Sequence, residues 1–213
     1  DLVRMYSVAK QGDLVEYFKN GKLKSARCSA DYTTGINTFP IETKVHDITF
    51  KATPQTANAY GSIHKYFNGL RGERLHNYND FYFSDVCETI DQFLEEYPTC
   101  NDFQMTRLEF GFNLDLDELG IEGTVKEVIQ NYFHFYDFKV LPTDTKFKKR
   151  DSEKAEKGFM REFKRDQYSF KVYDKSSQYK LNGQRILRVE MKMTNKKEFA
   201  DLGIYHLAHL KNE

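Results

Sequence analysis

The chain has 213 residues, with 32 basic and 32 acidic side chains and a formal net charge of zero. This balance excludes the strongly basic proteins that coat DNA, and it restricts any DNA contact to a local surface. The sequence also lacks an apolar run long enough to cross a bilayer and a secretory leader, so we expect a cytoplasmic protein with no membrane partner.

The three cysteines, Cys28, Cys87 and Cys100, show no CxxC spacing. This pattern argues against a disulfide framework or a zinc knuckle and predicts ordinary thiols in a reducing compartment. Because no linker divides the sequence, we expect one domain over residues 1–213. The sequence lacks an initiator methionine and stops at a polar Asn212-Glu213 step, so we expect a fragment, the N-terminal part of a longer protein whose C-terminal region is missing.

The first quarter of the chain should be rich in β-structure. Leu14, Glu16 and Phe18 alternate before an Asn20-Gly21 step, a pattern that predicts a strand, a turn and a second strand. Residues 61–83 are dense in His, Asn, Arg and Gly, and we predict a polar loop there. Loops of this composition often carry function.

Two amphipathic helices are predicted in the middle of the chain. The first should open with Asp85 and Glu88 as its capping box and end at Pro98. The second should open with a Thr124 and Glu127 box. Their apolar faces repeat at helical spacing: Val86, Ile90, Phe93, Leu94 and Tyr97 in the first, and Val125, Val128, Ile129, Tyr132, Phe133 and Tyr136 in the second.

Three segments with alternating side chains predict strands: residues 107–115, 169–175 and 186–193. In the first, Leu108, Phe110, Phe112 and Leu114 should face the core, whereas Arg107, Glu109, Gly111 and Asn113 should face outward. Residues 143–165 are basic and predict an exposed hairpin or loop, which is either a solvated stretch or a DNA contact. A short helical tail is expected around residues 199–210.

The polar faces of these strands bring together residues of an unusual mix: Glu109, Asn113, Tyr173, Lys175, Arg188 and Glu190. They are either ordinary outward side chains or a catalytic site. Two carboxylates and an amide are ligands that Mg²⁺ or Mn²⁺ accepts. A tyrosine is a poor nucleophile unless a cation or a metal favours its phenolate, and Lys171 and Lys175 lie on the tyrosine's side of the strand.

The segments that carry these residues, taken in order, resemble the replication initiators of filamentous phages and related plasmid replication proteins, the gene II/X family. The likeness runs through residues 1–5, 61–68, 75–81, 106–113, 171–179 and 187–190. It implies an α+β domain with a central, mainly antiparallel sheet, helices on one face and the active site on the other. Residues 1–213 would then form one nicking-endonuclease domain.

The resemblance also implies roles for individual residues. Tyr173 matches the nucleophile of the Tyr-x-Lys motif and Lys175 matches its lysine. Glu109 and Glu190 match acidic residues that hold the metal. The His-Asn step of the family's loop matches His76 and Asn77, which implies that His76 completes the metal shell or contacts the scissile strand. The sequence contains no His-x-His pair, the motif that holds the metal in related nicking enzymes.

The residues expected to contact DNA are His64, Lys65, Asn77, Arg107, Lys171 and Arg188. Several have a second interpretation. His64 also suits a hydrogen-bonding role within the loop, and Arg107 and Arg188 also suit ion pairs with the carboxylates of their own strands. Tyr179 is either a second nucleophile or a packing residue. His206 and His209 have the spacing of a metal pair, but their apolar surroundings favour packing.

The implied reaction is rolling-circle initiation: Tyr173 nicks single-stranded or melted origin DNA of a phage, plasmid or integrated element, stays attached to the 5′ end and later rejoins it. Host helicase and polymerase are the expected further partners. One rival is a metal nuclease that uses water, since Glu190-Met-Lys192 is a Glu-x-Lys motif that would need a third carboxylate. The other is a non-enzymatic origin-binding or single-strand-binding protein.

Overall fold

The computed structural model describes residues 2–8, 10–20, 23, 27–30, 37–133, 148–154, 158–164 and 168–212. Within these ranges no helix combines the length and the apolar character needed to cross a membrane. The chain divides into two compact units. Unit 1 comprises Asp1–Leu108 and Asn195–Glu213, and unit 2 comprises Glu109–Thr194.

The elements follow one another along the chain in an α+β order. The first half contains β1 (Leu2–Ser7), α1 (Gln11–Lys19), β2 (Arg27–Ala30), β3 (Asn37–Val45), β4 (Ile48–Ala52), β5 (Ala57–Ser62), α2 (Ile63–Leu70), α3 (Phe83–Glu96) and a 3₁₀ helix (Pro98–Asp102). The second half contains β6 (Gln104–Asp115), α4 (Val125–Tyr132), β7 (Lys148–Lys154), β8 (Gly158–Lys164), β9 (Tyr168–Asp174), α5 (Lys175–Tyr179), β10 (Ile186–Met193), α6 (Lys196–Asp201) and a 3₁₀ helix (Leu207–Lys211).

Unit 1 is an antiparallel sheet in the strand order β2-β3-β4-β5-β1, with helices that bury its apolar residues. Its core is aromatic. Phe50 of β4 stacks on Phe93 of α3 and lies 4.7 Å, between ring centroids, from Tyr97. Tyr66 of α2 meets Phe93 edge to face. The prediction that Phe93 and Tyr97 lie on the buried face of a helix end is therefore confirmed.

Two predictions for unit 1 are wrong. Residues 11–19 form helix α1 rather than a strand, with Leu14 fully buried. A short apolar segment does not distinguish the two periods, and Leu14 and Phe18 are also one helical turn apart. Part of the predicted 61–83 loop is helix α2, which Ser62 caps by accepting from the Lys65 backbone N–H. The apolar residues Ile63 and Tyr66 carried the helical signal.

Unit 2 is an antiparallel sheet in the order β6-β10-β9-β8-β7, with β6 entering from unit 1. Helix α4 begins as predicted with the Thr124 and Glu127 capping box. It packs on β8 and β9. The apolar cluster beneath it contains Leu116, Val125, Val128, Ile129, Phe159, Val172, Leu187 and Val189.

The other side of this sheet, which we call the site face, presents polar residues in rows. Strand register aligns Arg188 with Tyr173, Tyr173 with Met160, and Met160 with Ser152, across β10, β9, β8 and β7. The next row aligns Glu190, Lys171, Glu162 and Arg150. The arrangement of helix on one face and polar side chains on the other thus agrees with the predicted fold class within unit 2.

A buried arginine ties the edge hairpin β7–β8 to α4. Arg161 is 4% exposed, and its Nε and Nη2 donate to the two carboxylate oxygens of Asp151 at 2.9 Å. Its Nη1 donates to the carbonyls of Ile129 and Phe133 at 3.2 and 3.0 Å, at the C-terminal end of α4. One side chain therefore pairs the hairpin strands and caps the helix.

Other predictions for the second half need correction. Helix α3 begins at Phe83, before the predicted cap, and Asp85 accepts from the Tyr82 backbone N–H. Phe110 and Phe112, predicted to be core, are 45% and 56% exposed. The basic stretch 143–165 contains the predicted hairpin as β7–β8, but β8 buries Phe163, so this strand is not exposed as predicted.

Some predictions fall on residues outside the described ranges: Gly21 of the first turn, residues 143–147, 155–157 and 165 of the basic stretch, and Tyr136 of the second helix. The helical tail is present as α6 and the last 3₁₀ helix. Of the cysteines whose side chains are described, Cys87 and Cys100 are free thiols, and burial raises the pKa of Cys100.

Candidate functional site

Tyr173 lies where β9 ends, and Lys175 opens the following helix rather than continuing the strand. Asp174 is the N-cap of that helix and accepts from the Ser177 backbone N–H at 2.9 Å. The turn leaves the Lys175 side chain 1% exposed, with its Nζ 3.5 Å from the Tyr173 hydroxyl. The same ammonium lies 4.7 Å from the ring centroid of Tyr179. The helix start therefore directs a buried cation toward the phenol.

Two buried carboxylates act on this phenol. Burial raises the pKa of Tyr173, and the negative charges of Glu190 and Glu109 raise it further. Burial likewise raises the pKa of Glu190, and Glu109 adds to that rise, whereas Arg188, Lys171 and Lys175 oppose it. The phenol is consequently held in its protonated form in the protein alone.

Arg188 and Asn113 form the wall of the site on β10 and β6. Arg188 is buried, and its Nη1 donates to the Asn113 amide oxygen at 3.2 Å. Its Nε lies 3.9 Å from Glu190, and Lys171 Nζ lies at the same distance from the other oxygen of that carboxylate. The geometry therefore matches the interpretation of Arg188 as the partner of a carboxylate on its own strand.

Gly111 allows β6 to approach β10 at this point. A Cβ atom at residue 111 would overlap the carbonyl oxygen of Val189 and would lie 2.8 Å from the Cα of Glu190. Only a residue without a side chain fits that approach. Gly111 thus lies on the strand between Glu109 and Asn113 at the place where their strand contacts the backbone of Glu190.

A cavity of about 310 Å³ opens beside Tyr173 and Glu190. The hairpin β7–β8 supplies one wall with Arg150, Ser152 and Met160, and Gln178 of α5 supplies another. The sequence prediction missed these lining residues. The alternation of Arg150, Ser152 and Lys154 places these three on one face of β7, but it does not show which strand or cavity that face meets.

The histidines of the predicted loop lie in unit 1. His64 Nε2 lies 2.8 Å from the Asn79 amide oxygen, which also accepts from Asn68 at 3.1 Å. The ring of His64 stacks on Phe81, and that of His76 stacks on Tyr78. Burial lowers the pKa of His76, and the nearby His64 lowers it further. His64 therefore has the hydrogen-bonding role that was one of its two interpretations.

The remaining predicted residues occupy varied positions in unit 1. Lys65 pairs with Asp47 at 3.8 Å, Asn77 is buried, and Arg107 lies in the first part of β6. His206 and His209 pack against each other edge to face, and His206 Nδ1 lies 3.1 Å from the Phe103 carbonyl. Contact of Lys65, Asn77 and Arg107 with DNA stays a prediction.

The donor chemistry around Tyr173 suits a hard divalent ion in part. In the portion of the chain that the structure describes, no three His, Cys, Asp or Glu side chains form a metal-binding group. Mg²⁺, however, is commonly held by one or two carboxylates, with water and substrate phosphate completing its shell. Glu109 and Glu190 fit that mode, because each repels the other's charge and a cation would relieve the repulsion.

No protein-family model and no curated protein matches the sequence. Among solved structures, the chain is similar to the "Rolling Circle Replication Initiator Protein from Geobacillus stearothermophilus". The two are 12% identical, the alignment covers 98% of this chain and 77% of that chain, and the TM-score is 0.46. A likeness this distant establishes no shared function, so function has to be argued from the site.

Proposed function

We propose that this protein is a rolling-circle replication initiator that nicks and rejoins one DNA strand through a covalent tyrosine intermediate. The observation that carries the proposal is the position of Tyr173. Its hydroxyl lies 3.5 Å from the buried ammonium of Lys175, beside two buried carboxylates and a cavity. The resemblance of the surrounding motifs to the gene II/X initiators supports the same assignment.

The protein alone keeps the phenol inactive. Burial and the charges of Glu190 and Glu109 raise the pKa of Tyr173, so the nucleophilic phenolate is disfavoured. The Lys175 ammonium acts in the opposite direction, because a cation beside the oxygen favours its charged form. Nucleophilic activity should therefore depend on Lys175 and on neutralisation of the carboxylates.

Glu109 and Glu190 would hold Mg²⁺ or Mn²⁺, and the bound ion would supply positive charge to the oxygens of the scissile phosphate. His76 lies in unit 1, and its expected role as a metal ligand or a DNA contact stays a prediction. Lys171, which lies 3.9 Å from Glu190, and Arg188 would orient the strand and balance charge on the site face.

In the nicking step the Tyr173 hydroxyl loses its proton to water and its oxygen bonds to phosphorus. The bond from phosphorus to the 3′ oxygen breaks, and that oxygen takes up a proton to become a free 3′-hydroxyl. The phosphotyrosine retains the energy of the broken bond, so attack by a 3′-hydroxyl reverses the step and rejoins the strand. Origin DNA, host helicase and host polymerase are the partners that this function requires, in the cytoplasm.

The experiment is covalent capture. The full chain is incubated with a random-sequence pool of single-stranded DNA labelled at its 3′ end, with Mg²⁺ or Mn²⁺, and resolved on a denaturing protein gel. Because Tyr173 would hold the 5′ end of the downstream fragment, the label should migrate with the protein. Tyr173→Phe should abolish the labelled band, and Glu190→Ala should remove most of it.

Tyr179→Phe is the matched control, since Tyr179 also contacts Lys175 but should keep the adduct. Cut DNA without any adduct would support the water-using nuclease, whose third carboxylate is not found among the described residues. DNA binding of equal affinity with and without the metal ion, with neither cut DNA nor adduct, would support the non-enzymatic DNA-binding protein. An adduct in Tyr173→Phe would refute the assignment of the nucleophile.

A further inference from the structure

The cavity beside Tyr173 has the dimensions of a site for one small ligand. Its volume of about 310 Å³ lies at the lower end of the range for ligand pockets, roughly 300 to 1,000 Å³. It therefore accommodates a single nucleotide rather than several stacked ones. It opens directly beside the residue that we propose attacks DNA.

The cavity is lined by cationic side chains and by the apolar side chain of Met160. Arg150, Lys154 and Lys171 contribute positive charge, against Glu190 in the lining and Glu162, which lies between Lys171 and Arg150 in the same row of the site face. This excess of positive charge favours a phosphorylated ligand. Met160, aligned with Tyr173 on the neighbouring strand, provides a polarisable surface for the face of an aromatic base.

Two polar side chains in the lining are suited to the edge of a base. Ser152, directly opposite Met160 on β7, carries a hydroxyl that donates and accepts. Gln178 of α5 carries an amide with both a donor and an acceptor. A nucleobase turned out of its stack is recognised by this combination of an apolar face and hydrogen bonds at the edge.

The hairpin β7–β8, which forms one wall of the cavity, is fixed by contacts outside the cavity. On the reverse side of the hairpin, Arg161 pairs with Asp151 and caps α4. Gly158, the first residue of β8, has φ +67°. A Cβ at this residue would lie 2.8 Å from the Cβ of Asp174 and 2.7 Å from the Cβ of Ser177. The hairpin therefore packs tightly against the turn that follows Tyr173, as a recognition pocket requires.

We propose that this cavity binds the single nucleotide next to the scissile phosphate, with its base on Met160 and its phosphate at Arg150 and Lys154. The inference rests on the proposed function, and it adds that unit 2 itself selects a nucleotide at the cleavage point. A base that occupies the cavity is separated from its neighbours in the strand, which explains a requirement for single-stranded or melted DNA.

The test uses full-length protein labelled with ¹³C in the methionine methyl groups, titrated with each 2′-deoxynucleoside 5′-monophosphate. The Met160 signal, assigned through Met160→Leu, should shift because a base on the methyl group adds its ring current. The core residue Met193 should not shift. One of the four nucleotides should bind at least about fivefold more tightly than another, with dissociation constants on the order of 1 mM.

Ser152→Tyr should fill the cavity and weaken binding at least about tenfold, because the strand tolerates an aromatic residue but the site loses its space. Glu153→Tyr is the matched control on the same strand, since its side chain points to the α4 side and pairs with Lys126; it should bind as the wild type does. If Ser152→Tyr fails to fold, the Met160 shift in the wild-type titration still tests whether the cavity binds a nucleotide.

Absence of a Met160 shift up to about 10 mM nucleotide, or equal affinity in Ser152→Tyr, would overturn the pocket. The Met160 shift and the covalent adduct test the nucleotide pocket and the nicking function independently. A Met160 shift without any adduct keeps the nucleotide site and refutes the nicking function. An adduct without a Met160 shift keeps the nicking function and refutes the pocket.

Discussion

Gly111→Ala tests whether the approach of β6 to β10 sets the catalytic geometry. The new methyl group would overlap the Val189 carbonyl and lie 2.8 Å from the Cα of Glu190. Carbon atoms at optimal contact are about 3.5 to 4.0 Å apart, so the strands must separate by about 1 Å. Overpacking of this kind costs about 1–3 kcal/mol, which corresponds to a fall of roughly 2–12 °C in the unfolding midpoint.

The functional effect should exceed the loss of stability. A displacement of about 1 Å at a reacting group reduces rates by about 100-fold, and Glu190 lies on the strand that must move. The rate of adduct formation is measured at a temperature at which both proteins are fully folded, and thermal unfolding is followed by circular dichroism. The DNA pool and metal concentration are the same for both proteins.

Gly12→Ala is the control, because a Cβ at residue 12 of α1 meets no atom within 4 Å. It should leave adduct formation unchanged and stabilise the protein by about 0.5–1 kcal/mol through helix propensity. Wild-type stability and wild-type adduct rate in Gly111→Ala would refute the argument that this glycine holds the two carboxylate strands together.

Three further predictions concern charge at the site. Lys175→Met should slow adduct formation about 100-fold and move its pH profile to higher pH, because the cation that favours the phenolate is lost; an unchanged profile in single-turnover assays would exclude that role. Glu190→Gln should stabilise the protein at pH 7, because burial raises the pKa of Glu190 in the folded state and ionisation there opposes folding. The gain should shrink as the pH falls through the folded pKa and vanish below about pH 4 in urea titrations. Mg²⁺ at about 100 times its dissociation constant should stabilise the wild type by about 2.7 kcal/mol but leave Glu190→Gln unaffected, whereas equal stabilisation would argue against these ligands.

Side-chain alternation predicted the strands of unit 2 but not which residues they bury. Alternation assumes that the apolar face of a strand is covered and the polar face is solvated. In β10 the polar residues Arg188 and Glu190 are 2% and 8% exposed. In β6 the apolar Phe110 and Phe112 are largely exposed instead. Burial of this kind depends on neighbouring strands and helices, which a single segment does not encode.

The site was predictable to the extent that it follows strand positions. Alternation within each strand predicted that Tyr173, Glu190 and Glu109 lie on polar faces, and their three strands are neighbours in the sheet. The position of Lys175 depended instead on a helix N-cap at Asp174, which the alternating pattern of the strand concealed. The cavity wall could not be predicted because it requires the pairing of β7 with β8, a contact set by the fold as a whole.

The path of the chain through the two units has a consequence for how the protein can be dissected. Unit 2 is one uninterrupted segment, 109–194, whereas unit 1 is completed by residues that return after it. Tyr173, Lys175 and both glutamates are therefore encoded by a single gene fragment, whereas His64 and His76 lie outside it. Exchange of that fragment between related proteins would transfer the proposed cleavage site and the proposed nucleotide pocket together.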